Sequence, residues 1–215
     1  MLSDVRACGL ALGLTLVTVF ATIQEAQAQR AAAGPPDWPC VQRLIPELAW
    51  GTMWTGPSPD ALEQEWWEDE EVGRVVRFAT ARDTPREIAL ERVRDFVERV
   101  ADGPEADRER RLTLLFAGLF ERTNRERSRT IERIRSAARG QVQRLERVSE
   151  LVDELEVRRT SDEASSDDIE RLEKELFWER RTFQKRQQAL PALCEQPYLL
   201  EEQLSRMVRA IRSEM

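Results

Sequence analysis

Residues 131–155 read IERIRSAARGQVQRLERVSELVDEL, the polar stretch TSDEASSDD follows at 160–168, and IERLEKELFWERRTFQKRQQAL occupies 169–190. In the first stretch Ile131, Ile134, Ala138, Val142, Leu145, Val148, Val152 and Leu155 recur three or four residues apart. That is the spacing of a coiled-coil seam. Ile169, Leu172, Leu176, Phe183 and Leu190 continue a seam of the same period. A short polar turn between two seamed helices predicts an antiparallel hairpin, with Ser165 or Ser166 capping the second arm. Folding about residue 163 sets Leu155 near Leu172, Val142 near Phe183 and Ala138 near Leu190. Each arm of the hairpin, at 131–190, runs about 40 Å. The seam can also be closed between two chains, so a homodimer is an alternative.

Outward from the hairpin, proline and glycine mark the joints. Pro191 and Pro197 predict a kink or break around Cys194. Leu199, Leu200, Leu204, Val208 and Ile211 then form a last amphipathic helix. Upstream, Gly103-Pro104 ends one helix and opens a longer one that runs without proline to about Arg158. Leu112, Leu115, Phe116, Leu119 and Phe120 form a dense apolar patch on it, and Gly118 and Gly140 are read as points of bending. Thr84 and Glu87 have capping-box spacing ahead of the face Ala89, Val93, Phe96, Val97 and Val100. Ser58-Pro59-Asp60 reads as an earlier helix start, followed by Leu62, Trp66, Val72, Val75, Val76 and Ala79 at helical spacing, with Gly73 as a candidate break. A short strand at 72–78 is the weaker reading. The expected architecture is all-α: an elongated helical bundle base, built from 59–130 and 196–215, carrying the long antiparallel coiled-coil hairpin.

Residues 29–58 lack helical periodicity. They are rich in proline and glycine and hold Trp38, Trp50 and Trp54, so they are expected to lie across the helices as a strap. Residues 1–28 read as a secretory signal: an apolar run from Ala7 to Ile23, then Ala26-Gln27-Ala28 as a cleavage signature. An uncleaved anchor helix is the alternative, but the run is short for a span of about 20 residues. The localisation expected is periplasmic or secreted, with residues 59–215 as one helical domain. After cleavage no segment is apolar enough to hold the chain in a membrane. Two cysteines then remain, Cys40 and Cys194, and an oxidising compartment closes such a pair. A redox-active pair or a metal site is the alternative, but the C-x-x-C spacing usual for redox pairs is absent.

Composition excludes much chemistry. The chain has no histidine, which removes Ser-His-Asp and Cys-His catalysis and imidazole metal ligands. No glycine-rich phosphate loop appears. A formal net charge of -7 argues against bulk attraction to nucleic acid. At 34% charged residues, the chain suits long exposed helices better than a thick globular core. No catalytic residue, cofactor or metal site is assigned.

Three features could carry contacts. EQEWWEDEE at 63–71 holds six acidic residues around Trp66 and Trp67. It reads as a site for a cation or basic partner, or as an exposed helix face with buried tryptophan. Residues 121–139 hold seven arginines against three glutamates, Arg125, Arg129 and Arg133 among them. They read as an anion-binding face, as solvated charge, or as neutralisation of the acidic tryptophan segment. Phe177 and Trp178 cannot both face a two-helix seam, so one of them faces outward or toward a partner.

Residues 37–57 (DWPCVQRLIPELAWGTMWTGP), 112–129 (LTLLFAGLFERTNRERSR) and 193–200 (LCEQPYLL) resemble segments of an uncharacterised exported bacterial all-helical family. The Trp-Pro-Cys-x-Gln segment paired with a late Cys-Glu-x-Pro segment carries the resemblance. It implies a helical fold and export, and no activity.

The function expected from these features is a non-enzymatic periplasmic interaction protein, an adaptor, scaffold or accessory subunit of an envelope complex, with an envelope protein as partner. The alternatives are a periplasmic chaperone or stress sensor that binds unfolded proteins, and a carboxylate-based enzyme acting on polysaccharide.

Overall fold

The computed structural model describes residues 35–161 and 165–215. The expected signal segment and the first residues of the expected strap lie outside them. The chain divides into a unit ending at Leu44 and a unit of Ile45–Met215. In the first, the described residues make a turn in which the Trp38 amide donates to the Pro35 carbonyl at 2.8 Å and Trp38 Nε1 to the Gln42 carbonyl at 2.7 Å.

The second unit is all-α, with no strand among the described residues. Two single 3-10 turns, Trp50–Thr52 and Pro59–Ala61, precede four helices: α1 (Glu70–Ala79), α2 (Arg86–Ala101), α3 (Glu105–Thr160) and α4 (Ser166–Arg212). At 56 residues α3 is about 84 Å long. One half of it packs in the base and the other forms the first arm of the hairpin.

The base buries one continuous apolar core. Val72, Val75, Val76 and Ala79 of α1 meet Ala89, Val93, Phe96 and Val97 of α2, the patch from Leu112 to Leu119 on α3, and Leu204, Met207, Val208 and Ile211 of α4. Removing such surface from water is the main driving force for this half of the molecule. Residues 45–58 lie on α3. The Leu48 amide donates to Asn124 Oδ1 at 3.1 Å, and Arg127 donates to the Pro46 carbonyl at 3.2 Å. Trp54 stacks on Phe116 with ring centroids 4.2 Å apart. Its indole N–H, which would be costly to bury unpaired, donates to the Pro57 carbonyl at 2.7 Å.

The hairpin has its own small core of Leu151, Leu155, Leu172 and Leu176. Ser165 Oγ accepts from the Asp168 amide and starts α4, as expected. Antiparallel pairing about residue 163 runs the length of both helices. Arg147 meets Glu175 at 2.6 Å, Arg144 meets Glu179, Gln141 Nε2 donates to the Phe183 carbonyl at 3.2 Å, and Arg127 meets Glu201 in the base.

Four local expectations fail. First, the seam passes through Gln141 and Arg144, while Val142 and Leu145 are 56% and 54% exposed. Positions 141 and 144 stand three or four residues from the buried Ala138 and from the seam residue Val148. Val142 and Leu145 are each one residue on, about 100° round the helix. Gln141 Oε1 and Arg144 Nε are buried there without a partner. Such a polar layer weakens a seam but restricts its register.

Second, of the kink or break expected at Pro191 and Pro197, the break does not occur: α4 is continuous to Arg212. Each proline costs on the order of 3 kcal/mol inside a helix. Tertiary anchors at both ends offset this: Leu172 and Leu176 in the hairpin core, Leu204 to Ile211 in the base.

Third, the helix start at Ser58 is a single turn. Ser58 does cap it, accepting from the Asp60 amide at 3.3 Å, but α1 begins only at Glu70, where Asp69 caps the Glu71 and Val72 amides. Gly73 lies buried inside α1 and does not break it. Fourth, α2 begins at Arg86 after Pro85 without a side-chain cap, so the Thr84 capping box does not form.

Candidate functional site

The acidic tryptophan segment is built into the base. Trp66 is 7% exposed, and its Nε1 donates to Glu121 Oε2 at 2.7 Å. Asp69 spends one carboxylate oxygen capping α1, and both oxygens face Arg111, the closest approach being 3.0 Å. Glu71 meets Arg111 at 2.7 Å and Arg99 at 3.0 Å. Burial by itself would push the Asp69 carboxyl up, but the Arg111 guanidinium and the Val72 amide hold it below the ordinary carboxylate range. Hydrogen bonding to Arg111 is the main reason that Glu71 is lowered too. These acids are therefore engaged by the protein's own cations. Trp67 stays 49% exposed, edge-on to Trp66 at 5.3 Å.

The arginines of 121–139 divide. Arg125 pairs with Glu121 on its own helix, beside Trp66. Arg129 and Arg133 converge on Glu126, at 3.8 and 2.9 Å, with Arg82 from the α1–α2 connection at 2.7 Å on the same carboxylate. Neutralisation of Asp69 and Glu71 thus comes from Arg111 and Arg99, outside the stretch the sequence singles out. Cys40 and Cys194 are both disulfide-bonded. Among the described residues no group of three or more acidic, cysteine or histidine side chains is placed to hold a metal ion. Nor is any helix there long and apolar enough to cross a membrane.

Two surfaces stand out among the described residues. On the hairpin, Phe177 and Trp178 are each 55% exposed and stand edge-to-face at 5.3 Å. Phe177 also lines a cleft with Val152 and Leu155 of α3 and Arg180 and Arg181 of α4. The sequence shows that both rings cannot enter the seam; the structure leaves both half out of it.

In the base, a groove of about 890 Å³ lies between the α1–α2 connection, α3 and α4. Leu190, Leu193, Leu199 and Leu200 of α4 and Ala137 of α3 line its apolar side, with Arg82, Arg86, Arg122, Arg133 and Arg186 among its polar lining. Among these arginines, Arg133 and Arg122 belong to the arginine-rich stretch at 121–139. Arg82, Arg86 and Arg186 lie elsewhere in the chain, so no single local motif announces the set. No family model, curated protein or solved structure matches the chain.

Proposed function

We propose that this chain is a non-enzymatic interaction protein of the cell envelope, an adaptor, scaffold or accessory subunit, that contacts its partner through the hairpin. The observation that carries this reading is the half-exposed aromatic pair Phe177 and Trp178 on a two-helix arm. Adjacent aromatic side chains with arginine nearby are the residue types that dominate binding energy at protein interfaces. Half-exposed rings still have apolar surface to lose to a partner. The arm is a two-helix hairpin with its own leucine core, so the backbone that presents these rings is already helical before binding. Export through the leader read at 1–28 belongs to the same proposal, and disulfide-bonded Cys40 and Cys194 suit an oxidising compartment.

The test is a photo-crosslinking amino acid placed at position 178 in cells that naturally make the protein. An adduct with one envelope protein, lost when Phe177 is also changed to Ala, supports the reading. Adducts only with a second copy of the chain, or none above a control at Lys174 on the same arm, would overturn it.

A further inference from the structure

The groove in the base has a composition that the fold does not require. From residue 184 to 189 every residue of α4 is exposed, as are Pro191 and Ala192. Leu190, Leu193, Leu199 and Leu200 turn toward the groove yet stay only partly buried. Among the described residues this apolar floor has no covering side.

The lining around that floor is cationic. It carries five arginines against one carboxylate, Glu126. Glu126 is already shared by Arg82 and Arg133. Arg86, Arg122 and Arg186 have no carboxylate partner among the described residues. Arg122 is held in place, its Nε donating to Thr80 Oγ1 at 2.6 Å. Arg86 belongs to the same end of the groove, where its carbonyl accepts from Gln203 Nε2 at 2.9 Å. Unpaired arginines beside a low-dielectric wall concentrate positive potential and attract an anion, and guanidinium recognises phosphate or carboxylate with two parallel hydrogen bonds.

Size narrows the ligand. A volume of 890 Å³ falls within the range of small-molecule pockets, about 300–1,000 Å³. The groove follows α4 from Arg186 to Met207, about 30 Å.

We propose that this groove binds a free single-chain amphiphile with an anionic head. The chain lies on the leucines of α4, and the head is held by Arg86 and Arg122 beside Thr80. This site is separate from the hairpin surface, and either assignment can fail without the other.

The test is calorimetric titration of the full chain with dodecyl phosphate below its micelle concentration. One-site saturable binding is expected, with a Kd on the order of 10 µM. Dodecyltrimethylammonium, the same tail with a cationic head, and butyl phosphate, the head with a short tail, are expected not to saturate. Arg86→Gln, an exposed change with no ion pair to lose, is expected to raise Kd about tenfold, and Arg122→Gln likewise. Ala189→Trp, which fills the exposed floor, is expected to abolish binding. Equal binding of the cationic amphiphile, indifference to both arginine changes, or binding to phosphatidylglycerol vesicles but not to monomeric dodecyl phosphate would each overturn the proposal.

Discussion

Gly118 and Gly140 both lie inside α3, and replacing each with alanine is expected to change stability in opposite directions. In a helix interior alanine is favoured over glycine by about 1 kcal/mol, because glycine loses more backbone freedom on folding. At Gly140 an added Cβ meets nothing within 4 Å, so Gly140→Ala is expected to stabilise by about that amount. At Gly118 the same atom would lie 2.7 Å from Val76 Cγ2 and 2.8 Å from Trp66 Cδ2. The optimum carbon–carbon separation is about 3.5–4.0 Å, so the overlap is close to 1 Å on two sides. Neither neighbour yields easily. Val76 is fully buried, and the Trp66 ring is tethered by its bond to Glu121. Overpacking of this kind costs about 1–3 kcal/mol. With the clash at the upper end, Gly118→Ala is expected to destabilise by about 2 kcal/mol after the propensity gain. The two variants should then differ by about 3 kcal/mol, or roughly 6–12 °C in Tm for a protein of this size. Urea unfolding followed by circular dichroism, with the disulfide intact, measures both. If Gly118→Ala matches or exceeds the wild type, the close packing of α1 and Trp66 on α3 is wrong.

Three further outcomes follow from the geometry. Pro191 is exposed inside α4, so Pro191→Ala restores a helix hydrogen bond without loss of packing and should stabilise by about 1–3 kcal/mol in the same assay; a loss would mean that α4 is interrupted there. Asp69 and Glu71 have pKa values lowered by folding, so their contribution is full above the unfolded values, near pH 4, and is lost as pH falls through the folded ones. The urea midpoint should therefore drop steeply below about pH 4 and less steeply in Arg111→Met, whereas identical slopes would refute the role of Arg111. Finally, a chain lacking residues 1–28 should release no free thiol to a colorimetric reagent in denaturant until reduced, because Cys40 and Cys194 are both disulfide-bonded; one or two free thiols would contradict this.

What could be read from the sequence was local or periodic. Three-four spacing identified the hairpin arms, the turn at 160–168 set their antiparallel sense, and the midpoint near 163 placed Leu155 with Leu172, as the structure has them. Gly103-Pro104 marked the joint between α2 and α3, and Ser165 the start of α4. These signals act within a few residues of chain, through hydrogen-bonding geometry and side-chain period. Where two long-range demands compete, local reading failed. Helical spacing admits Val142 and Leu145 into the seam as readily as Gln141 and Arg144. The choice comes from the leucine cluster on one side and Ile134 and Ala138 on the other, which together set the helix rotation. Local rules also break α4 at its prolines, but anchors about 30 residues apart hold it continuous. Likewise Trp66 and Trp178 look alike in sequence, each in an acidic or mixed-charge stretch beside another aromatic. Only tertiary contact with Glu121 and Gly118 buries the first, while the two-sided seam leaves the second outside. The basic groove is tertiary altogether, because its arginines come from the α1–α2 connection, α2, α3 and α4, and their shared potential exists only once those elements pack.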